Sequence, residues 1–174
     1  MVTTGMARRF SAAERRQVRA AERRAAELVS GFYVLSPREW SSMPFEVCTA
    51  GDLAPEELDS QALAQVRCYG VRRTLGDRVL AEQDLYRICL YDDRILALAS
   101  QYDRTPMRAL LLYVLTHELV HVVRFGQRLQ AIDLPRALRR EEEASVDRTA
   151  RLILSRSGER GLRKALGRFP PPDE

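Results

Sequence analysis

Residues 109–126 read ALLLYVLTHELVHVVRFG, and the interpretation of the whole chain turns on them. The run is apolar except at Thr116, His117 and Glu118, then at His121 and Arg124. A spacing of four puts His117 and His121 on one face of a helix, one turn apart. Glu118 lies about 100° further round the axis. Two imidazoles and a carboxylate in so apolar a helix are costly to bury without partners. The chain has two histidines in all, and both fall in these few residues. One divalent cation resolves the cost. Zinc accepts imidazole nitrogens, leaves a position for water at a reactive site, and renders that water acidic. Glu118 is then placed to reach the water as general base rather than to ligate the metal. Two imidazoles with a carboxylate also suit iron or manganese.

Such a site needs a third protein ligand. With no further histidine, that ligand is a carboxylate or a cysteine. Glu141, Glu142 and Glu143 follow about twenty residues after His121, enough for a loop and an antiparallel helical return. Glu143 shares a face with Val146, Asp147, Ala150, Ile153 and Leu154, which reads as the buried stripe. It is the preferred ligand. Glu142 lies one residue round, with Leu138, Ser145, Thr149 and Leu152, and stands as the alternative. Asp147, one turn beyond Glu143, is placed to accept a hydrogen bond from the other ring nitrogen of a ligating histidine. Glu141 reads as a solvated charge pairing with Arg139 and Arg140.

Working outward, Thr105 and Pro106 open the His-bearing helix and Gly126 closes it. Asp133 and Pro135 start a last long helix that runs to about Ser155, with Gly158 past its end. Upstream, Ser11 and Glu14 form a capping box for an Ala/Arg/Glu helix to about Val29, with Gly31 as its stop. Phe45, Val47 and Thr49 alternate as a short strand, and Asp52 caps a brief helix over 55–63. From Val66 to Tyr91 the period becomes two: Val66, Cys68 and Val71 alternate, Gly76-Asp77 turns, and Leu85–Tyr91 is rich in β-formers. Asp92 or Asp93 caps a helix over Arg94–Gln101. These signals predict an α+β fold with a short, mostly antiparallel sheet. They divide the chain into an Arg-rich helix over 1–32 (arm or packed helix), a main domain over 33–158, and a frayed tail over 159–174.

The chain's 174 residues suit one domain, and 45% hydrophobic with 30% charged residues is ordinary globular composition. A net charge of +4 is mild. Residues 1–30 hold seven arginines against three glutamates, an excess equal to that whole charge. This segment is where a nucleic-acid partner would bind, whereas a solvated helix face explains the same charges. Cys48, Cys68 and Cys89 contain no CxxC pair and are odd in number, predicting thiols in small core positions and a cytoplasmic location. The start lacks a signal-peptide apolar core, and the apolar run Ala109–Leu115 is far shorter than the ~20 residues of a membrane span, so no membrane partner is expected. Oligomeric state is not encoded in any of these patterns.

His117-Glu118-x-x-His121 followed by Glu143-Ala144-Ser145-Val146-Asp147 resembles the HExxH…ExxxD pattern of the gluzincin-type zincin metallopeptidases, over residues ~85–155. The resemblance implies a minimal, single-domain zincin fold, one zinc ion held by His117, His121 and Glu143, and hydrolysis of a protein or peptide substrate. It also implies a sheet whose edge strand lies along the cleft, a place that Leu85–Tyr91 would take, ahead of the active-site helix. Larger gluzincins add a His or Tyr that stabilises the oxyanion. Here Tyr86, Tyr91, Tyr102, Tyr113 or Arg148 would have to serve. The alternative is a non-hydrolytic zincin scaffold: a metal-stabilised binding or regulatory protein, with or without nucleic acid. An intact Glu118 favours the enzyme, since a purely structural site has no use for a base.

Overall fold

A computed structural model describes residues 8–54, 62–75, 78–101, 107–129 and 135–159, together with Leu162, Leu166, Gly167 and Phe169. Helix α1 (Ala12–Tyr33) begins at the expected capping box: Ser11 Oγ accepts from Glu14 N–H, and the Glu14 carboxylate accepts from Ser11 N–H. It does not stop at Gly31. The helix continues to Tyr33 because Phe32 and Tyr33 pack against the core, and Val34 takes the left-handed cap at φ 53°. Its buried stripe of Val18, Ala21, Ala25 and Val29 lies against helix α4 (Met107–Gly126). The Arg-rich segment is therefore a packed helix, not an arm.

A short helix α2 (Pro37–Ser41) follows, with a second capping box from Ser36 and Glu39 around Pro37. Strand β1 (Phe45–Cys48) comes next, then β2 (Ala64–Leu75) and β3 (Arg78–Leu90). The β2–β3 pair is an antiparallel ladder with Val66 opposite Ile88 and Cys68 opposite Tyr86. The β1–β3 pair is parallel, with Phe45 opposite Tyr86 and Cys48 opposite Cys89. The sheet is thus mixed, in the order β1-β3-β2. This corrects the placing of Leu85–Tyr91 at the edge. β3 is the central strand, and its Tyr86, Ile88, Cys89 and Leu90 are buried, as a strand covered on both sides requires. The expected helix over 55–63 falls mostly outside the described residues, as do the Gly76-Asp77 turn, Thr105-Pro106 and Asp133.

Helix α3 (Asp92–Gln101) starts at Asp92, which is buried. Its carboxylate accepts from Phe10 N–H at 2.8 Å and Ala50 N–H at 2.9 Å, joining the entry to α1, the exit of β1 and the start of α3. Burial raises its pKa above the ordinary carboxylate value, and the two backbone donors oppose that shift.

Helix α4 is buried continuously from Leu110 to Val123. It is long and apolar enough to cross a membrane, yet most of that apolar window is buried inside the fold. α1, α3, β2 and the last long helix surround it. α5 (Arg136–Arg156) starts after Pro135 and lies on α4. Gly126 ends α4 for a reason different from the expected one. Its φ is not positive, and Arg128 takes the left-handed conformation instead. A Cβ at Gly126 would stand 2.3 Å from Met43 Cγ and Sδ, so glycine there permits close packing.

The core runs unbroken from Phe10 and α1 to Leu162, Leu166 and Phe169. Neither the 32/33 nor the 158/159 boundary separates two cores. The tail is not frayed at these three residues, which are buried. Among the described residues the architecture is five helices around a three-stranded mixed sheet, an α+β fold.

Two substitutions test these local readings. Val34→Gly relieves a β-branched residue of a left-handed backbone and should raise the unfolding free energy by about 1 kcal/mol. Gly126→Ala forces the Met43 side chain aside and should lower it by about 1–3 kcal/mol. Urea unfolding followed by circular dichroism measures both.

Candidate metal centre

The antiparallel contact between α4 and α5 carries a ladder of polar rungs through an otherwise apolar interface. At its middle, His117 Nε2 and His121 Nε2 are 3.3 Å apart. Glu143 Oε2 lies 3.1 Å from His121 Nε2 and 3.4 Å from His117 Nε2. Among the described residues, this is the one His/Cys/Asp/Glu group placed to hold a metal ion.

While both rings are neutral, no arrangement of their protons makes all three edges of this triangle hydrogen bonds at once. Two Nε2–H groups can both donate to Glu143 but set donor against donor between the rings, and every other tautomer sets acceptor against acceptor on at least one edge. A cation satisfies all three at once. Ligands held tetrahedrally at about 2.0–2.1 Å require donor separations of about 3.3–3.4 Å. The observed edges of 3.1, 3.3 and 3.4 Å fit that requirement.

Each ring is held from behind. His121 stacks on Phe125 (centroids 5.8 Å, planes 21° apart), and Phe125 stacks on Tyr86 of β3 (6.2 Å, 9°). The central strand thereby supports one imidazole. His117 and Tyr113 form a T-shaped ring pair, with centroids 6.4 Å apart and planes at 75°. His117 and Glu118 are both 0% exposed, whereas the Glu143 side chain is 24% exposed and forms the open side of the group. Glu118 is not one of the three clustered donors.

The neighbouring carboxylates separate cleanly. Glu142 pairs with Arg124 near the end of α4, leaving Glu143 as the carboxylate beside the histidines. Asp147 departs from expectation. Its Oδ1 accepts from the Tyr113 hydroxyl and its Oδ2 from Arg151 Nε at 2.7 Å, rather than either binding a histidine nitrogen. The reason is geometric: Tyr113 is the α4 residue one turn before His117, and it meets Asp147 as His117 meets Glu143.

The residues named as oxyanion donors have the following surroundings. The Tyr113 hydroxyl is engaged by Asp147 and by Arg151 Nη2, and burial followed by the Asp147 bond raises its pKa far above the usual phenol value. Tyr91 shares a 3.4 Å hydrogen bond with Gln65. Tyr86 is buried in the Phe125 stack, Arg148 is exposed, and Tyr102 lies outside the described residues. Cys48 and Cys89 are buried and Cys68 is half-buried; none of the three is in a disulfide, and all stand outside the metal group.

Sequence reasoning missed Arg151, Arg124 and Phe125. A signal existed for two of them: Arg151 is four residues after Asp147, and Phe125 four after His121. Arg124 is visible only through the helix pairing. Comparison with protein-family models, curated proteins and solved structures gave no match for this chain.

Arg124 also lies beside the Tyr33 side chain, so its guanidinium stands where α1, α4 and α5 meet. Arg124→Ala, which strands the largely buried Glu142, should lower the unfolding free energy by about 1–3 kcal/mol. Urea titration with Glu142→Gln and the double variant should show the two losses to be non-additive.

Proposed function

We propose that this chain is a zinc-dependent metallopeptidase of minimal zincin type, with His117, His121 and Glu143 as the metal ligands and Glu118 as general base. The observation that carries the reading is the triangle of two imidazole nitrogens and one carboxylate oxygen with edges of 3.1–3.4 Å. When bound, the ion would supply Lewis acidity, lowering the pKa of a water and polarising a carbonyl. Glu118 would take the proton released as that water attacks the peptide carbon, then return it to the departing amine. Burial keeps the Glu118 carboxylate from bulk water, so the proton it accepts stays available for the amine. Tyr113 and Phe125 hold the two rings, and Glu143, on the open side, faces the approach of the substrate.

A second reading rests on another observation. His117 and Glu118 are wholly buried, as in a cation site that stabilises a binding or regulatory protein. A nucleic-acid partner of such a protein would meet the exposed arginines of α1, among them Arg16, Arg19 and Arg23.

The two readings diverge in one variant. Protein purified without added metal is assayed by elemental analysis and against a mixed peptide substrate. On the peptidase reading, the wild type carries one divalent ion per chain and cleaves. Glu118→Gln keeps the ion and loses about 10²–10⁴-fold in rate, and His121→Ala loses both ion and cleavage. Glu143→Gln should lower ion occupancy more than Glu142→Gln. A wild type that holds the ion and melts higher with it, yet cleaves no better than Glu118→Gln, establishes the second reading.

A further inference from the structure

Behind Tyr113, next to the histidines, lies a part-buried cluster of polar groups around Arg151. Arg151 Nε donates to Asp147 Oδ2 at 2.7 Å, and Nη2 donates to the Tyr113 hydroxyl at 2.8 Å. The same guanidinium reaches into the C-terminal segment: Nη2 donates to the Phe169 carbonyl at 2.9 Å and Nη1 to the Leu166 carbonyl. Phe169 stacks on Tyr113 with centroids 5.6 Å apart and planes at 19°, while the Arg151 guanidinium covers the Tyr113 ring at 4.9 Å. The Tyr113 ring in turn makes a T-shaped contact with His117. An unbroken series of contacts thus leads from two backbone carbonyls near the C-terminus to the imidazole of a ligand.

The chemistry suits positioning. A planar five-donor fork can hold a carboxylate, a phenol and two carbonyls in one fixed arrangement, which a lysine cannot. Tyr113 is held at its hydroxyl by two partners and on its ring by two more, so it can act as a wall for His117. Asp147, one turn after Glu143 on α5, sets the spacing of α5 from α4 on one side of the trio, as Glu142 with Arg124 does on the other.

We propose that Arg151 and Tyr113 are positioning residues for the cation site, and that the C-terminal segment, captured by Arg151 at Leu166 and Phe169, is needed for full cation affinity. This rests on the metal-site reading above. Loss of the guanidinium frees the segment and the Tyr113 ring together, and His117 loses its wall.

The test uses the full chain and Co2+ as the probe, with affinity read from the visible absorption of the bound ion. Arg151→Gln and Tyr113→Phe should each weaken Co2+ binding by about 10- to 100-fold, the range for groups that orient ligands. Arg151→Lys should recover only part of the loss. Glu159→Gln is the control. It breaks the ties of the same segment to Arg24 at 3.1 Å and Arg108 at 3.7 Å, away from the histidines, and should leave Co2+ affinity unchanged. Equal affinity in Arg151→Gln and wild type, or an equal loss in Glu159→Gln, overturns the proposal; if Arg151→Gln does not fold, Tyr113→Phe decides alone. A second readout needs no ion. With two histidines in the chain, long-range 1H–15N spectra of the cation-free protein resolve both rings. Tyr113→Phe and Arg151→Gln should move the His117 nitrogens and leave those of His121 in place, and unmoved His117 signals overturn the positioning role. A wild type that binds no Co2+ removes the metal-site reading, and the nitrogen spectra then decide the positioning role by themselves.

Discussion

Two imidazoles and a carboxylate must be accommodated inside an otherwise apolar contact between α4 and α5, and the rest of the structure follows from that requirement. Polar groups taken out of water are tolerated only where they meet one another in good geometry. Here they converge within hydrogen-bonding reach, with Glu143 on the open side. A shift of the helices past each other by a turn would carry Glu143 away from His117 and His121 and break the Tyr113–Asp147 and Arg124–Glu142 pairs. The trio therefore sets the register of the helix pair as well as the chemistry available to it.

The flanking rungs carry the same logic outward. Arg124 with Glu142 on one side, and Tyr113 with Asp147 and Arg151 on the other, keep the α4–α5 gap constant across the trio. Support comes from elements far apart in sequence. β3 contributes Tyr86 through Phe125, α1 contributes Tyr33 through Arg124, and the C-terminal segment contributes Phe169 through Tyr113. A rigid constellation of this kind is what metal binding or proton transfer requires, because donors must already stand where they are needed.

Much of this was legible in the chain. The i, i+4 spacing of His117 and His121, the apolar stripe containing Glu143, and the capping box at Ser11 are local patterns with local causes, and they appear in the structure where the patterns put them. Readings failed where tertiary packing overrode a local preference. Gly31 offers a helix stop, but burying Phe32 and Tyr33 outweighs it. Gly126 was read as a conformational stop and serves packing against Met43. The resemblance to zincins puts Leu85–Tyr91 at a sheet edge, and nothing local shows that β1 joins its other side in parallel. Asp147 was given to a histidine because one-dimensional spacing cannot rank Tyr113 above His117 as its neighbour.

What the residues alone determine is periodicity: which side chains share a face, which helices start at a cap, and that both histidines and Glu143 belong to buried faces. Periodicity fixes direction within one element and says nothing of distance between two. Only the packed fold decides that Glu143 rather than Glu142 meets the histidines, that Asp147 binds Tyr113 and Arg151, and that the tail closes against the same cluster. Those choices depend on the separation and rotation of α5 against α4, quantities set jointly by every side chain in the interface and by no single stretch of the chain.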